Sequence, residues 1–198
     1  SGLRHYSNGE LVTEQPILIQ NEIGYLGIIC KEIDGVLHLL MQAKIEPGNV
    51  NKIQISPTIQ ATKSNFTQQH GGRKPAYLDY FLNADKYTIL FDQIQSEQSS
   101  RFYKKRNRNI MIKVDEDIEV LPSHMWMTIG EIKQLMKIDN LVNMDTRTVL
   151  SGIPFFLADI KGCERDKISE WFHDKALFRS IFAKPDHGDF TAIYRYIN

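Results

Sequence analysis

Apolar residues in the first half of the chain follow the spacing that β-strands require. Two strongly apolar runs, 24–33 and 36–45, flank Asp34-Gly35. An Asp-Gly pair between two apolar runs is a strong signal for a hairpin with a two-residue turn. The second run is apolar at nearly every position, which indicates a strand covered on both faces. The pattern therefore predicts an antiparallel hairpin inside a sheet.

Beyond the hairpin, polar and apolar positions alternate. The apolar set is Ile53, Ile55 and Ile59, and the polar set is Gln54, Ser56 and Gln60. On a strand these two sets face opposite ways. Buried amides must be hydrogen-bonded, so the polar side favours a pocket for a hydroxyl-rich ligand such as a sugar or nucleoside. The alternative is a sheet face open to water.

Later segments add strands and then helices. We predict two further strands at 87–97 and 110–120, and helices at 128–138, 143–153 and 165–182. Thr128 followed by Glu131 has the spacing of a capping box at a helix start. Strands followed by helices predict an α+β fold with a mixed or antiparallel sheet and flanking helices.

Composition and charge argue against a nucleic-acid-binding protein, a membrane-spanning protein and a cysteine metal site. The 198 residues are 42% hydrophobic and 24% charged with a formal net charge of +0, so no global field draws the protein to nucleic acid. Its apolar runs are too short to span a bilayer. Cys30 and Cys163 match no metal-ligand spacing, and Cys30 is predicted to be a core residue. With no charged-then-apolar leader at its start, the chain is expected to be cytoplasmic.

The segment 95–109 concentrates positive charge. Its cations are Arg101, Lys104, Lys105, Arg106 and Arg108, with Phe102 and Tyr103 between them. The segment is interpretable as a solvated basic loop, as a nucleic-acid patch or as a diphosphate site. Zero net charge weakens the second reading, and the bidentate binding of phosphate oxygens by arginine favours the third.

Five residues are candidates for proton transfer, each with a structural alternative. They are His38, Glu46, Glu97, Tyr103 and Asp145. His38 lies in an apolar strand and is more simply a core residue, whereas Glu46 is also interpretable as a turn residue and Glu97 as an ion-pair partner of the basic segment.

Further along, Asn140, Asn143 and Arg147 share a helical face, which predicts either a ligand contact or a helix cap.

Four stretches together resemble the NDP-hexose 2,3-dehydratase family, from about Gln15 to Pro154. They are GVLHLLMQAKIEPGN, QISPTIQATKSN, QSEQSSRFYKKRNRN and DNLVNMDTRTVLS. The resemblance implies a Nudix-like fold, although the Nudix signature motif is absent. It also implies elimination of water across C2–C3 of dTDP-4-keto-6-deoxyglucose in deoxysugar biosynthesis, with no metal and no redox cofactor.

Roles follow from that resemblance. Glu46 or Glu97 is the expected base, Lys44 the donor to the C4 oxygen, and Tyr103 the acid for the departing hydroxyl. Arg101, Arg106 and Arg108 are expected at the diphosphate, with Phe66 or Phe102 stacked on thymine. The remaining expected binding residues are Gln42, Asn49, Gln54, Ser56, Gln60, Ser64, Asn65, Gln95, Asn107, Asn143 and Arg147.

The chain carries one copy of a unit that the family usually holds in tandem. We therefore expect an N-terminal arm at 1–22, a Nudix-like sugar-nucleotide-binding domain at 23–154 and a C-terminal helical segment at 155–198. A homodimer or a second copy of the unit would rebuild the tandem arrangement. The alternatives to an active lyase are a non-catalytic binding half that needs a second copy, and a Nudix-like hydrolase.

Overall fold

The computed structural model describes residues 2–62, 74–153 and Ser180. In chain order the strands are β1 (Gly2–Ser7), β2 (Glu10–Pro16), β3 (Gly24–Ile33), β4 (Val36–Ile45), β5 (Ile53–Ser56), β6 (Ile59–Ala61), β7 (Thr88–Ser96), β8 (Arg106–Val114) and β9 (His124–Thr128). The helices are α1 (Leu78–Leu82), α2 (Ile129–Leu135) and α3 (Met144–Ser151), with a 3-10 turn at Ala84–Lys86.

The central sheet has seven strands. Its main path runs β5-β4-β3-β8-β7, while β6 pairs with β3 and β9 pairs with β4. The β3–β8 pairing is parallel and the other pairings are antiparallel. This mixed sheet with helices beside it confirms the predicted α+β class.

The β3–β4 hairpin has the predicted bounds. Asp34 and Gly35 both have positive φ, 51° and 73°, as the two-residue turn that matches strand twist requires. The predicted capping box is present as well, since the Thr128 side chain accepts from the Glu131 N–H at 3.2 Å and the Glu131 carboxylate accepts from the Thr128 N–H at 2.7 Å.

Two apolar clusters cover the two faces of the sheet. One face packs residues such as Ile28 and Met111 against α2 and α3. The other packs residues such as Ile29 and Ile110 against Phe81 of α1. Cys30 is fully buried in the first cluster, which confirms its prediction as a core residue.

Some predicted boundaries were wrong. The strand predicted at 110–120 is β8, which begins at Arg106 and ends at Val114. It starts early because its parallel partner β3 provides hydrogen bonds from the Gly24–Asn107 pair onward, and it ends where the β3 register stops at Lys31. Strand β9 and helix α1 were not predicted.

The N-terminal arm forms a separate two-stranded sheet. Strands β1 and β2 pair with each other, and all their residues are exposed. The predicted helix at 165–182 and the segment 155–198 lie outside the described residues except for Ser180, whose hydroxyl accepts from the Ile129 N–H at 3.0 Å. None of the helices in the described part of the chain has the length and apolarity needed to cross a membrane.

Candidate functional site

A cavity of about 200 Å³ opens where β3 and β8 begin and β4 ends. Its lining is mostly polar and comes from at least six elements and loops. The lining residues are Gln20, Gly24, Leu26, Lys44, Glu46, Gln60, Ala61, Thr62, Glu97, Lys105, Asn107 and Asp145. We call it the larger cavity.

Three carboxyl groups reach the larger cavity from separate parts of the fold. Glu46 follows β4, Glu97 follows β7, and Asp145 lies in the first turn of α3. Two of the three are held by neighbours. Glu46 accepts from the Lys44 ammonium at 3.2 Å and from the Gln60 amide at 3.4 Å.

Glu97 and Asp145 differ in their surroundings. The Asn107 amide donates to the Glu97 carboxylate. The Asp145 carboxyl is half-buried and accepts no hydrogen bond from any described residue. Burial raises the pKa of Asp145 to about 6, the nearby Glu97 and Glu46 carboxylates also raise it, and Lys44 lowers it. Asp145 is therefore a carboxyl that gains or loses its proton near neutral pH.

Two ammonium groups complete the charged lining. Lys44 is paired with Glu46, as described above. Lys105 is only 3% exposed, and its ammonium donates to the Glu22 backbone carbonyl at 2.7 Å. Within the described ranges Lys105 has no carboxylate partner, so its charge is available to an anion in the cavity.

Gly24 and Asn107 form the floor between these groups. The Gly24 N–H donates to the Asn107 side-chain oxygen at 3.3 Å. A Cβ at Gly24 would lie 2.8 Å from the Ala61 carbonyl oxygen and 3.1 Å from that same Asn107 oxygen. Only glycine fits here without moving the floor of the cavity.

A smaller cavity of about 90 Å³ adjoins the first one. The two share Leu26, Glu97, Asn107 and Asp145. The smaller cavity is further lined by Gln95, Ser96, Gln98, Asn109, Met144 and Thr148. Glu97 and Asp145 therefore stand at the boundary between two connected spaces.

The structure brings several predicted site residues together. Lys44, Glu46, Gln60, Glu97 and Asn107 line the larger cavity, and Gln95 lines the smaller one. Asn143 lies just behind this lining. Its amide donates to the Gln60 side-chain oxygen at 3.3 Å, while its own oxygen caps α3 by accepting from the Thr146 N–H at 2.8 Å.

The predicted diphosphate and stacking residues lie elsewhere. Arg101 and Phe102 belong to the turn that bonds to Leu18, and neither lines the cavities. Tyr103 is 46% exposed, with the Lys104 ammonium 5.1 Å from its ring centroid.

Strand geometry separates the remaining arginines from the cavities. Asn107 points to the cavity side of β8, so Arg106 and Arg108 face away from it. Arg106 is exposed. The Arg108 guanidinium donates to Asp92 at 2.8 and 2.6 Å and to the Tyr25 hydroxyl at 3.2 Å, so its charge is already neutralised.

Five other predicted binding residues have structural partners outside the cavities. Gln42 accepts, through its backbone carbonyl, from the Ser56 hydroxyl at 3.3 Å. Gln54 donates to the Asn140 carbonyl at 2.9 Å, and Asn49 donates to the Lys52 carbonyl at 3.3 Å. Arg147 donates to the Val142 carbonyl at 3.3 Å. Ser64, Asn65 and Phe66 lie outside the described residues.

The sequence did not single out Asn109, and Lys105 was predicted only as one of the five cations of the basic segment. The signal for both was the alternation within RNRN: if Arg106 and Arg108 face one way, the odd-numbered residues face the other. Asp145 was predicted only as one of five proton-transfer candidates. In the part of the chain that the structure describes, no group of three or more His, Cys, Asp or Glu side chains is arranged to hold a metal ion.

Comparison with known proteins places this geometry in a family context. A family model described as NDP-hexose 2,3-dehydratase matches residues 3–153. A Saccharopolyspora spinosa protein named dTDP-4-dehydro-6-deoxy-alpha-D-glucopyranose 2,3-dehydratase is 60% identical over 141 residues, which are 71% of this chain and 29% of that protein. Identically named proteins of Streptomyces violaceoruber and Amycolatopsis orientalis are 50% and 46% identical, over 71% and 72% of this chain and 32% and 30% of their own lengths.

The chain thus spans about three tenths of the length of these curated relatives. Among solved structures, a Nudix hydrolase from M. smegmatis is similar with a TM-score of 0.43 and 13% identity, over 76% of this chain and 96% of that one. The C. elegans Ap4A hydrolase is similar with a TM-score of 0.40 and 14% identity, over 70% of this chain and 100% of that one.

Proposed function

The chain belongs to the NDP-hexose 2,3-dehydratase family, and we propose that its larger cavity binds dTDP-4-keto-6-deoxyglucose and eliminates water across C2–C3. One observation carries the proposal: three carboxyl groups and two ammonium groups line a single cavity. The names of the relatives supply the substrate, and the cavity supplies acids, bases and cations in the numbers that the reaction needs.

The reaction depends on the ketone at C4. That carbonyl acidifies the C3 proton, because the electron pair left on C3 delocalises onto the C4 oxygen as an enolate. The enolate then expels the C2 hydroxyl, which leaves as water after accepting a proton. The resulting C2–C3 enol tautomerises to a 3,4-diketone, so no net oxidation occurs. The site therefore needs a base at C3, a donor at the C4 oxygen and an acid at the C2 hydroxyl.

We assign the base to Asp145. Its carboxyl has no hydrogen-bond partner among the described residues, and its raised pKa of about 6 makes it more basic than an ordinary aspartate while it stays ionised at pH 7.5. Glu46 and Glu97, the bases expected from the sequence, are already held by Lys44 and by Asn107. Both line the same cavity, and turnover by Glu46→Gln and by Glu97→Gln, assayed separately, tests them as alternatives.

Lys44 is the proposed donor to the C4 oxygen. Its ammonium lies 3.2 Å from the Glu46 carboxylate, which fixes its position. A fixed cation near a developing enolate stabilises the transition state more than the ground state. Glu97, at the boundary of the two cavities, faces the hydroxyl groups of the sugar in this arrangement. Its position suits proton donation to the leaving hydroxyl better than that of Tyr103, which lines neither cavity.

Lys105 is the proposed anchor for the diphosphate. It is a buried cation that donates to a neutral backbone carbonyl, so a phosphate oxygen would provide an opposite charge. Arg101 and Arg106 line neither cavity, so we do not assign them to the diphosphate. Arg108 is committed to Asp92.

A second candidate function is a non-catalytic sugar-nucleotide-binding half that is active only beside another copy of the unit. The chain spans about three tenths of the length of its curated relatives, so turnover by this chain alone needs its own test. A Nudix-like hydrolase is a weaker candidate, because the sequence lacks the signature motif of that chemistry.

A second copy of the unit is also the proposed partner. Strands β1 and β2 are exposed along their whole length, including Leu3, Tyr6, Leu11 and Val12, each at least 46% exposed. An isolated two-stranded sheet is marginally stable in water, so an apolar partner surface would stabilise it. Light scattering tests this partner. We expect the intact chain to be a dimer and a chain lacking residues 2–16 to be a monomer.

Turnover is the direct test of the proposed function. The purified chain is incubated with dTDP-4-keto-6-deoxyglucose, and the 3,4-diketone product is followed by mass spectrometry. We expect product with the wild type and none with Asp145→Asn. Binding without product would support the second candidate, and pyrophosphate cleavage that depends on Mg²⁺ would support the third.

A further inference from the structure

A buried side chain that lines the smaller cavity has a polar atom without a hydrogen-bond partner among the described residues. The Asn109 side chain is 1% exposed, and its amide nitrogen donates to the Asn107 carbonyl at 3.2 Å. Its oxygen, Oδ1, has no hydrogen-bond donor within reach among the described residues. A buried acceptor without a donor costs about 1–3 kcal/mol, so a ligand that donates a hydrogen bond here recovers that cost.

The position of this atom links it to the proposed chemistry. Asn107 and Asn109 are two residues apart on β8, so their side chains face the same side of the strand, and both line the smaller cavity. Glu97 and Asp145 form its boundary with the larger cavity. A group bound at Asn109 is therefore adjacent to two of the proposed proton-transfer carboxyls.

The two cavities are too small to act separately on a sugar nucleotide. Sites for small-molecule ligands and cofactors generally measure about 300–1,000 Å³, whereas the cavities measure about 200 and 90 Å³. At about 90 Å³ the smaller one has room for several water molecules. That space matches one hydroxylated edge of a sugar ring.

The lining distinguishes a sugar from a base. Among the described residues, those specific to the smaller cavity are mostly hydroxyl and amide side chains, with Met144 as the apolar member and no aromatic ring. Nucleobases are generally held by stacking on aromatic side chains. Hydroxyl groups instead need acceptors and donors at short range, and these are what the cavity offers.

We propose that the smaller cavity is the sugar subsite of this protein, and that Asn109 Oδ1 selects the sugar by accepting a hydrogen bond from one of its hydroxyl groups. The inference rests on the proposed function and deepens it. It makes Asn109 a specificity residue for the hexose part of the ligand, while Lys105 in the larger cavity holds the diphosphate.

Calorimetry with two unreactive ligands tests the proposal. Thymidine diphosphate carries the base and the two phosphates, and dTDP-glucose adds a hexose that lacks the 4-keto group. For Asn109→Leu we expect about tenfold weaker binding of dTDP-glucose and unchanged binding of thymidine diphosphate. The control is Gln134→Leu, since Gln134 is exposed on α2 and lines neither cavity.

A second variant protects the test against misfolding. Thr148→Met enlarges a side chain on the wall contributed by α3 and leaves Asn109 intact. It should produce the same selective loss of dTDP-glucose affinity. Thermal unfolding of Asn109→Leu should occur near the wild-type temperature, because the variant removes an unsatisfied buried acceptor but also loses the 3.2 Å hydrogen bond to the Asn107 carbonyl.

The outcomes separate this inference from the proposed function. Equal losses for both ligands would overturn it and place the base or the diphosphate at Asn109. Unchanged binding of both ligands by the two variants would also overturn it. If the wild type binds neither ligand, the proposed function fails as well. If the wild type forms no product but binds dTDP-glucose in a way that depends on Asn109, the proposed reaction is contradicted and the sugar subsite is supported.

Discussion

Lys44 and Glu46 form a 3.2 Å ion pair at the end of β4, inside the larger cavity. In the proposed reaction Glu46 acts only through Lys44, which stabilises the enolate. We expect Lys44→Met to lower kcat about 10²–10³-fold, as loss of one oxyanion donor does. Glu46→Gln should cost about tenfold, and the double variant should lose no more than Lys44→Met alone, because residues that act as a unit are not additive.

The Lys113–Glu32 pair serves as the matched control. Its ammonium and carboxylate lie 3.0 Å apart in the same sheet, and neither residue lines a cavity. Lys113→Met and Glu32→Gln should leave kcat unchanged. A larger loss for Glu46→Gln than for Lys44→Met would identify Glu46 as the base instead.

Asp145 should make stability depend on pH. Its carboxyl has an ordinary pKa of 3.8 when unfolded and about 6 when folded. Below pH 3.8 the carboxyl is protonated in both the folded and the unfolded state, so it does not affect the free energy of unfolding. Between pH 3.8 and 6 the unfolded state loses its proton more readily than the folded state, so the free energy of unfolding falls as the pH rises. Asp145→Asn should therefore have the same free energy of unfolding as the wild type near pH 4. At pH 7.5 its free energy of unfolding should be about 1–3 kcal/mol higher than that of the wild type.

Urea unfolding of both proteins at the two pH values measures this difference. The groups that set the pKa of Asp145 besides burial are Glu97, Glu46 and Lys44, and all three are retained in the variant. A difference in unfolding free energy that is the same at pH 4 and pH 7.5 would show that Asp145 is an ordinary surface carboxylate.

Lys105 should dominate diphosphate binding. Lys105→Met removes the buried cation but keeps most of the side-chain volume, so we expect about 10–100-fold weaker binding of thymidine diphosphate. Arg106→Met is the control, since Arg106 is the next residue on β8 and is exposed on the other side. Calorimetry at two salt concentrations should show a smaller salt dependence for Lys105→Met. A larger loss with Arg106→Met would move the diphosphate to the basic turn.

Gly24 should be sensitive to a single methyl group. The Cβ of Gly24→Ala would lie 2.8 Å from the Ala61 carbonyl oxygen, a backbone atom that cannot move without disturbing the β3–β6 pairing. We expect a loss of about 1–3 kcal/mol in unfolding free energy and weaker nucleotide binding. Gly48→Ala is the control, because nothing lies within 4 Å of its added Cβ. Equal effects of both substitutions on the denaturation midpoint would refute this role.

The central hairpin and the helix starts were predictable because their signals are local. Asp34-Gly35 specifies its turn through backbone conformation, and Thr128 with Glu131 specifies a helix start through side-chain hydrogen bonds. Strand β9 was missed because HMWMT is a short segment without regular alternation. Its pairing with β4 is a long-range contact that no local pattern encodes.

The site was predictable in part for the same reason. Glu46 and Glu97 stood out beside a turn and a basic segment, and both reach the cavity. The arginines were misleading, because charge density along a sequence does not show which side of a strand each residue faces. Register decides that point: the β3–β8 pairing places Asn107 and Asn109 opposite Gly24 and Leu26, and thereby turns Arg108 towards Tyr25 and Asp92.

The measurement that most directly tests the assigned site is the titration of the ¹⁵N-labelled chain with thymidine diphosphate, followed by NMR. We expect the largest shifts at the backbone amides of Gly24, Lys105 and Asn107, with smaller shifts at Asn109 until a sugar is attached. Shifts centred on Arg101 and Arg108, or no shifts at millimolar nucleotide, would contradict the assigned site.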